Sequence, residues 1–159
     1  MLGTLARWLR ILGYDTLYDN RLTDDEILEL SRSESRVVLT RDRRLAARKG
    51  LAACVLIEED RLHEQLRIVL TATDATVPRQ PRLIRCLVCN TILNEVEKEV
   101  LRDRVPPYVY RTQSRFRECP RCRKLYWRGT HRERMAERLK DLIREEASPK
   151  EASQGETLN

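Results

Sequence analysis

The sequence predicts an α/β fold with a parallel sheet, followed by a small module that is organised by cysteines. Two observations lead to this prediction. Short apolar runs of strand type alternate with amphipathic helical segments over residues 1–72, and this alternation is typical of parallel strands joined by helical crossovers. Beyond residue 85, four of the five cysteines lie in two Cys-x-x-Cys pairs, which marks a second, separate structural unit.

The predicted elements of the first part follow from local patterns. The first helix carries apolar residues at helical spacing and stops at Gly13, and a short strand is predicted over residues 14–18. The next helix opens with Thr23-Asp24-Asp25-Glu26, the pattern of a capping box. The remaining predictions are a buried strand over residues 37–40, a short helix over 42–49 ended by Gly50, a strand over 54–57 and a helix with Leu62, Leu66, Val69 and Leu70 on one face.

The composition further predicts how the chain divides. Residues 73–82 read as a linker, in which Thr, Ala and Asp give way to Pro78 and Pro81. The cysteine module is predicted over residues 83–130, and a polar helix over 131–146 has Met135, Leu139, Leu142 and Ile143 on one stripe. Residues 147–159, rich in Ser, Glu, Lys and Gly, are predicted to be a disordered tail.

The sequence predicts no contact with a membrane. Charged residues make up 35% of the chain, and its longest apolar runs are far shorter than the ~20 residues that cross a bilayer. Arg7 and Arg10 interrupt the apolar residues at the N-terminus, and no small-residue cleavage site follows, so no signal peptide is predicted. We therefore expect a cytoplasmic protein, in which paired cysteines favour a metal over disulfides.

The cysteine pairs predict a zinc ribbon. Cys86-Leu-Val-Cys89 and Cys119-Pro-Arg-Cys122 are separated by 29 residues, and four converging thiolates complete a closed tetrahedral site for a structural zinc ion. The spacer leaves room for a hairpin, although it exceeds the usual ~15–20 residues. The alternatives are chance pairs or a redox dithiol. Cys54, in an apolar strand, is most simply a small buried hydrophobic residue.

The positive charge of the chain is concentrated in the cysteine module. The whole chain has a net charge of +6, but residues 79–128 contain 13 Lys and Arg against 5 Asp and Glu, a local net charge of +8. The remainder contains 18 against 20, a net charge of −2. A compact module with this excess attracts polyanions, of which RNA and DNA are the usual ones. The alternative is a surface whose charge only confers solubility.

Carboxylates follow the predicted strands, at the sheet edge where open α/β folds bind ligands. They are Asp19, Asp42, Glu58, Glu59 and Asp60, with Asp24, Asp25 and Glu26 at the start of a helix. Carboxylates that meet at one edge favour a cation such as Mg²⁺ or Mn²⁺. The alternative is local: Asp24 and Asp25 would interact with a helix dipole, and Asp42 would cap a helix. No serine or cysteine nucleophile constellation and no Gly-rich phosphate loop competes.

Several stretches resemble one known family. They are Met1-Leu-Gly-Thr-Leu-Ala-Arg-Trp-Leu-Arg-Ile-Leu-Gly-Tyr-Asp-Thr, Asp24-Asp-Glu-Ile-Leu, Leu39-Thr-Arg-Asp42-Arg, the first cysteine pair, Arg102-Asp-Arg-Val-Pro-Pro and Cys119-Pro-Arg-Cys-Arg-Lys-Leu-Tyr-Trp-Arg-Gly-Thr-His131. On these residues the chain resembles the Mut-seven C-terminal RNase family, in which a PIN-type nuclease domain precedes a zinc ribbon. The resemblance extends to about residue 140 of this sequence.

The resemblance implies a PIN-like three-layer α/β/α sandwich and metal-dependent cleavage of RNA. Asp42 is the best match to an acidic residue of a PIN metal site that binds Mg²⁺ or Mn²⁺, and Asp24 is the next best. Asp25 and Glu26 are neighbours that remain candidates, and Glu58, Glu59 or Asp60 are weaker ones.

The sequence departs from the family pattern at its beginning. Family members have a strand that ends in an aspartate just before the Met-Leu with which this chain begins, and that aspartate is a principal metal ligand. Both are missing here. We expect either that the true start lies upstream of Met1 or that the chain is an inactive version, and we favour the former because the other motifs are undamaged.

Under the ribonuclease hypothesis, the basic ribbon would bind the RNA substrate. The candidates for phosphate contacts are Arg111, Arg115, Arg117, Arg121, Arg123, Lys124 and Arg128. Tyr126 and Trp127 would either stack on bases or pack in the ribbon core, and His131 would cap the final helix or touch RNA. The alternative function is a catalytically inactive RNA-binding or ribosome-associated zinc-ribbon protein.

Overall fold

A computed structural model describes residues 2–75 and 83–127, which all belong to one compact unit, residues 1–128. Most of the predicted linker, the predicted helix over 131–146, the predicted tail, Arg128 and His131 lie outside the described residues. None of the helices in the described ranges is long and apolar enough to span a membrane.

The first part is a mixed α/β arrangement. Its elements are α1 Gly3–Leu12, α2 Asp24–Ser33, β1 Val37–Thr40, α3 Arg43–Ala46, β2 Ala53–Leu56 and α4 Leu62–Ala72. The strands β1 and β2 pair in parallel, with Val37 opposite Ala53 and Thr40 opposite Leu56. The predicted α/β class and its parallel sheet are therefore confirmed, while the three-layer sandwich stays a prediction because the described sheet has two strands.

The predicted helix boundaries depend on local signals and are confirmed at two places. Helix α1 ends at Gly13, whose φ of 97° is left-handed and whose N–H bonds to the carbonyl oxygen of Arg10. At the start of α2, the Thr23 hydroxyl accepts the N–H of Glu26 while the Glu26 carboxylate accepts the N–H of Thr23. Both motifs satisfy backbone groups that a helix end would leave unpaired.

The predicted strand over residues 14–18 is wrong. These residues are irregular, and they line a groove of about 750 Å³ together with α1, α4 and β1. A strand requires a partner for its backbone N–H and C=O groups, and no described strand lies between this segment and β1. Residues 14–18 therefore lack the neighbouring strand that their strand-like sequence would pair with.

Two boundaries in the first part differ from prediction. The predicted helix over 42–49 is shorter and comprises α3 alone, with Asp42 as its N-cap. The segment after α3 ends at Gly50, which has a φ of +98°. The side chain of Arg32 packs against Gly50 so closely that a Cβ at Gly50 would lie 1.9 Å from the Nη2 atom of Arg32. Cys54 lies in β2 and is partly buried, so its predicted burial is only partial.

The second part is a three-stranded antiparallel sheet. Its strands are β3 Asn94–Val96, β4 Phe116–Glu118 and β5 Leu125–Trp127, in that spatial order. A 3₁₀ helix over Lys98–Leu101 and helix α5 Pro107–Thr112 lie between β3 and β4, which explains why the spacer between the cysteine pairs is longer than usual. One apolar cluster contains Cys86, Leu93 and Cys119, and a second contains Leu101, Val105 and Phe116.

Candidate metal centre and nucleic-acid surface

The two Cys-x-x-Cys pairs converge on one point. The sulfur atoms of Cys86, Cys89, Cys119 and Cys122 all lie within 4.8 Å of one another, and within the described ranges this is the only such group of three or more possible ligands. The closest sulfur pairs, Cys86–Cys122 and Cys89–Cys119, are 3.5 and 3.4 Å apart. Tetrahedral zinc–sulfur bonds of ~2.3 Å separate sulfurs by about 3.8 Å. The four cysteines could therefore hold a metal ion such as zinc.

Each pair forms a tight turn that aims backbone donors at sulfur. The first turn closes with a bond from the N–H of Asn90 to the carbonyl of Cys86, and the second with one from Arg123 to Cys119. Asn90 and Arg123 both adopt left-handed backbone angles, with φ of 67° and 60°. In the second turn the N–H of Cys122 donates to the sulfur of Cys119 at 3.4 Å.

The electrostatics of the first turn favour the thiolate form that binds metals. Burial raises the pKa of Cys86, but hydrogen bonds from Tyr126 and from the N–H groups of Cys89 and Val88 lower it below its usual value. Burial likewise raises the pKa of Cys89, and hydrogen bonds that include those from Thr91 bring it down to about 6. The lowered pKa values of Cys86 and Cys89 therefore favour the thiolate form that a metal ion binds.

Helix α1 contacts the first cysteine turn through Arg10. This arginine is 4% exposed, and its Nη1 atom donates to the carbonyl oxygens of Leu87 and Val88 at 3.0 Å each. Its Nε atom donates to the carbonyl of Thr16 at 2.9 Å. Burial lowers the pKa of Arg10, whereas the negative charges of Cys86 and Cys89 raise it. The sequence alone does not predict this role of Arg10; the only signal is a charged residue beside the apolar positions of α1.

Asp15 adds a second connection between the two parts. Its carboxylate accepts hydrogen bonds from Asn90 at 2.7 Å and Arg36 at 3.0 Å, and it lies 3.3 Å from Arg85. The N–H of Thr16 donates to the side chain of Asn90 at 3.1 Å. Asn90 follows Cys89 directly, so these bonds fix the end of the first cysteine turn against the segment that follows α1.

The predicted catalytic carboxylates have local partners. One oxygen of Asp42 accepts the N–H groups of Arg44 at 2.7 Å and Leu45 at 3.4 Å, as a helix cap does. Asp25 forms an ion pair with Arg48 at 2.7 Å. Asp24 is exposed in the first turn of α2 and has no side-chain partner in the part of the chain that the structure describes. The cap agrees with the local alternative for Asp42.

The other acidic candidates are distributed along the surface. Asp19 bonds to Arg21, Glu26 serves the capping box, Glu58 pairs with Arg43 and Asp60 with Arg41. The neighbouring carboxylate of Glu64 raises the pKa of Glu59. Among the described residues, no three carboxylates lie close enough together to enclose a metal ion. The predicted roles of Asp42 and Asp24 as Mg²⁺ or Mn²⁺ ligands, and of Asp25 as a catalytic residue, stay predictions.

Of the seven predicted nucleic-acid residues, Arg128 lies outside the described residues, Arg111 is exposed on α5, and the other five fall into two groups. Arg115, Arg121 and Lys124 are exposed, and their side chains have no ion pair or hydrogen bond within residues 2–75 and 83–127. Arg117 instead donates to the carbonyl of Leu83 at 2.9 Å and pairs with Glu95, and Arg123 pairs with Glu118 at 2.8 Å. The first three residues thus present uncompensated charge, and the last two do not.

The predicted base-stacking aromatics belong to the ribbon core. The Tyr126 hydroxyl bonds to the sulfur of Cys86 and to the N–H of Leu87, each at 3.2 Å. The Trp127 ring packs on Phe116 with ring centroids 6.3 Å apart. Among the described residues of the ribbon, the exposed aromatic side chain is Tyr108 of α5, which is 69% exposed and lies one helical turn before the exposed Arg111. The sequence contains no periodic signal that would distinguish Tyr108 from the core aromatics.

One family model, described as the Mut7-C RNAse domain, matches residues 1–139. The matched range contains the described residues of both parts, the four cysteines and the candidate carboxylates. Searches of the curated proteins and of the solved structures return no match.

Proposed function

The chain belongs to the Mut7-C RNase domain family, and we propose from this that it is a metal-dependent ribonuclease whose basic zinc ribbon binds the RNA. The observation that carries the proposal is the family match over residues 1–139, which spans both the α/β part and the cysteine cluster. The resemblance seen in the sequence covers almost the same range. RNA is accordingly the substrate or partner that the family implies.

The metal of the ribbon is proposed to be zinc with a structural role. Four thiolates leave no open coordination position, so a zinc ion in this cluster would hold the ribbon together and would not activate a water molecule. A module with such small apolar clusters gains much of its folding free energy from the metal.

The cleavage chemistry is proposed to depend on Asp42 and Asp24. The second carboxylate oxygen of Asp42 is not used by the helix cap, and Asp24 has no side-chain partner within the described ranges, so both have oxygens available for a divalent cation. Asp25, which forms an ion pair with Arg48, would help to orient the site and would not bind the cation itself. A bound Mg²⁺ or Mn²⁺ would activate water and stabilise the charge that develops on the phosphate.

A divalent cation bound by Asp42 and Asp24 would accept a further carboxylate beside them. The groove along β1 has room for this further carboxylate. One side of the groove is β1, and another is the irregular segment that includes Tyr14 and Tyr18. A carboxylate that enters this groove would lie near the sheet edge that Asp42 follows.

The RNA surface is proposed to centre on Arg115, Arg121 and Lys124. Their charges are not neutralised by described carboxylates, whereas those of Arg117 and Arg123 are. Phosphate contacts from such side chains give affinity without sequence preference. Tyr108, exposed on α5, offers a ring on which an unpaired base can stack.

The second candidate function is RNA binding without cleavage. It is favoured by the absence of three clustered carboxylates among the described residues. One experiment separates the two functions: labelled RNA is incubated with the zinc-loaded protein with and without added Mn²⁺, and both binding and cleavage are measured. Cleavage that requires the metal supports the nuclease, and binding without cleavage supports the second candidate.

A further inference from the structure

The guanidinium of Arg10 is a buried charge whose described contacts include no carboxylate. Arg10 is 4% exposed, and its hydrogen bonds within the described residues go to the carbonyl oxygens of Thr16, Leu87 and Val88. Carbonyl groups satisfy the donors of an arginine, but they do not supply the opposite charge that a buried cation requires. When they are ionised, Cys86 and Cys89 are nearby groups whose negative charge acts on Arg10. Four thiolates with one zinc ion keep more negative charge than the ion neutralises.

The connection between Arg10 and the cluster runs through two peptide groups. The carbonyl oxygens of Leu87 and Val88 accept from the guanidinium at 3.0 Å. The N–H groups of these same peptide units belong to Val88 and Cys89, and both donate to the sulfur of Cys86. Each peptide group therefore lies between a cation at its oxygen and a thiolate at its hydrogen, which is the arrangement that strengthens both hydrogen bonds.

We propose that Arg10 is a positioning residue of the metal centre, which orients the two peptide groups that donate to Cys86 and offsets the negative charge of the four thiolates. The α/β part thus contributes directly to metal binding, although its own helix α1 contains no ligand. This inference rests on the proposed zinc in the cysteine cluster and is independent of the ribonuclease activity.

The test is a zinc affinity measurement on the full chain, by competition with a chromogenic chelator. Arg10→Met removes both the positive charge and the several N–H donors of the guanidinium group. We expect the zinc Kd of this variant to rise about 10- to 100-fold, which is the effect of losing a partner that orients a metal ligand. Arg10→Lys keeps the positive charge but loses the planar guanidinium group, and we expect a smaller rise in the zinc Kd of roughly 3- to 10-fold. Arg7→Met is the matched control, because Arg7 is exposed on the same helix; its Kd should stay within about twofold.

A second readout separates metal positioning from general stabilisation. Cobalt is substituted for zinc, and the sulfur-to-cobalt charge-transfer band is compared among the variants. We expect the band to shift in Arg10→Met because the N–H bonds to Cys86 weaken, and not in Arg7→Met. Zinc binding by Arg10→Met within twofold of the unsubstituted chain, or an unshifted band, would overturn the proposal. If Arg10→Met does not fold, Arg10→Lys decides on the same criteria. Failure of the unsubstituted chain to bind zinc would instead refute the proposed zinc site.

Discussion

The hydroxyl of Tyr126 lies 3.2 Å from the sulfur of Cys86, so an aromatic side chain of the last ribbon strand stabilises a ligand of the first cysteine turn. The same hydroxyl accepts the N–H of Leu87 at 3.2 Å. Tyr126 is therefore a structural residue of the four-cysteine cluster, and its ring packs against Cys86, Leu93 and Cys119.

This contact gives the first prediction, for Tyr126→Phe. The ring is kept and the hydroxyl is lost, so we expect a loss of about 1 kcal/mol in zinc binding, roughly a fivefold weaker affinity. RNA affinity of the zinc-loaded protein should be unchanged, because the hydroxyl points into the ribbon. Chelator competition and fluorescence anisotropy measure the two quantities, and a selective loss of RNA affinity would contradict this assignment.

The second prediction concerns the pH dependence of the contact between the two parts. Burial raises the pKa of Asp15, but hydrogen bonds from Asn90 and Arg36 lower it below its ordinary value. A carboxylate with a lowered pKa stabilises the fold above its unfolded pKa and loses this effect as the pH falls through its folded pKa. Because Asp15 is half exposed, we expect Asp15→Asn to reduce the unfolding free energy by less than about 1 kcal/mol at pH 7.

The difference between the unsubstituted chain and Asp15→Asn should shrink as the pH falls below about 4. Urea unfolding at several pH values checks this, and both proteins lose any bound metal over the same range. Asp103→Asn is the control, since Asp103 is exposed and its side chain has no partner among the residues that the structure describes. An effect of Asp15→Asn that is the same at pH 7 and pH 3 would argue against the charge as its cause.

The third prediction separates compensated from uncompensated charges on the ribbon. Substitution of Arg115, Arg121 or Lys124 by Gln should weaken RNA binding and reduce the slope of log affinity against log salt by about 0.7–1 each. Arg123→Gln is the matched control, because Arg123 is paired with Glu118. Anisotropy titrations from low to high KCl measure the slopes. Equal effects at Arg123 and Arg121 would show that the ion pairs do not define the binding surface.

The fourth prediction concerns the exposed ring on α5. Tyr108→Ala should weaken binding of single-stranded RNA by about 1–3 kcal/mol, and Tyr108→Trp should retain it, because stacking requires an aromatic face. Val100→Ala, an exposed apolar residue of the ribbon, serves as the control. Equal affinities of Tyr108→Ala and the unsubstituted protein would remove Tyr108 from the RNA surface.

The features that the sequence predicted well are those whose causes are local. Gly13 and the pair Thr23–Glu26 determine helix ends within a few residues, and the structure has both where they are expected. The convergence of the cysteines follows from their number and spacing. In contrast, the strand predicted over residues 14–18 required a neighbouring strand, which the local pattern does not supply.

The features that sequence reasoning missed depend on contacts between distant residues. Arg10 meets Leu87 across 77 residues of sequence, and Asp15 meets Asn90 across 75. For Tyr126 and Trp127 both alternatives were open, and the pairing of β4 with β5 decides for the core because it places Trp127 opposite Phe116. The carboxylates are still undecided, since Asp42 caps a helix and leaves one oxygen available.

The central claim is that this chain belongs to an RNA-cleaving protein whose carboxylates perform the chemistry. The most direct measurement compares RNA cleavage in Mn²⁺ by the protein with and without Asp42→Asn. We predict metal-dependent cleavage that EDTA stops and that Asp42→Asn reduces at least ~100-fold, with RNA affinity unchanged. Tight, salt-dependent RNA binding with no cleavage, or full activity of Asp42→Asn, would contradict the account.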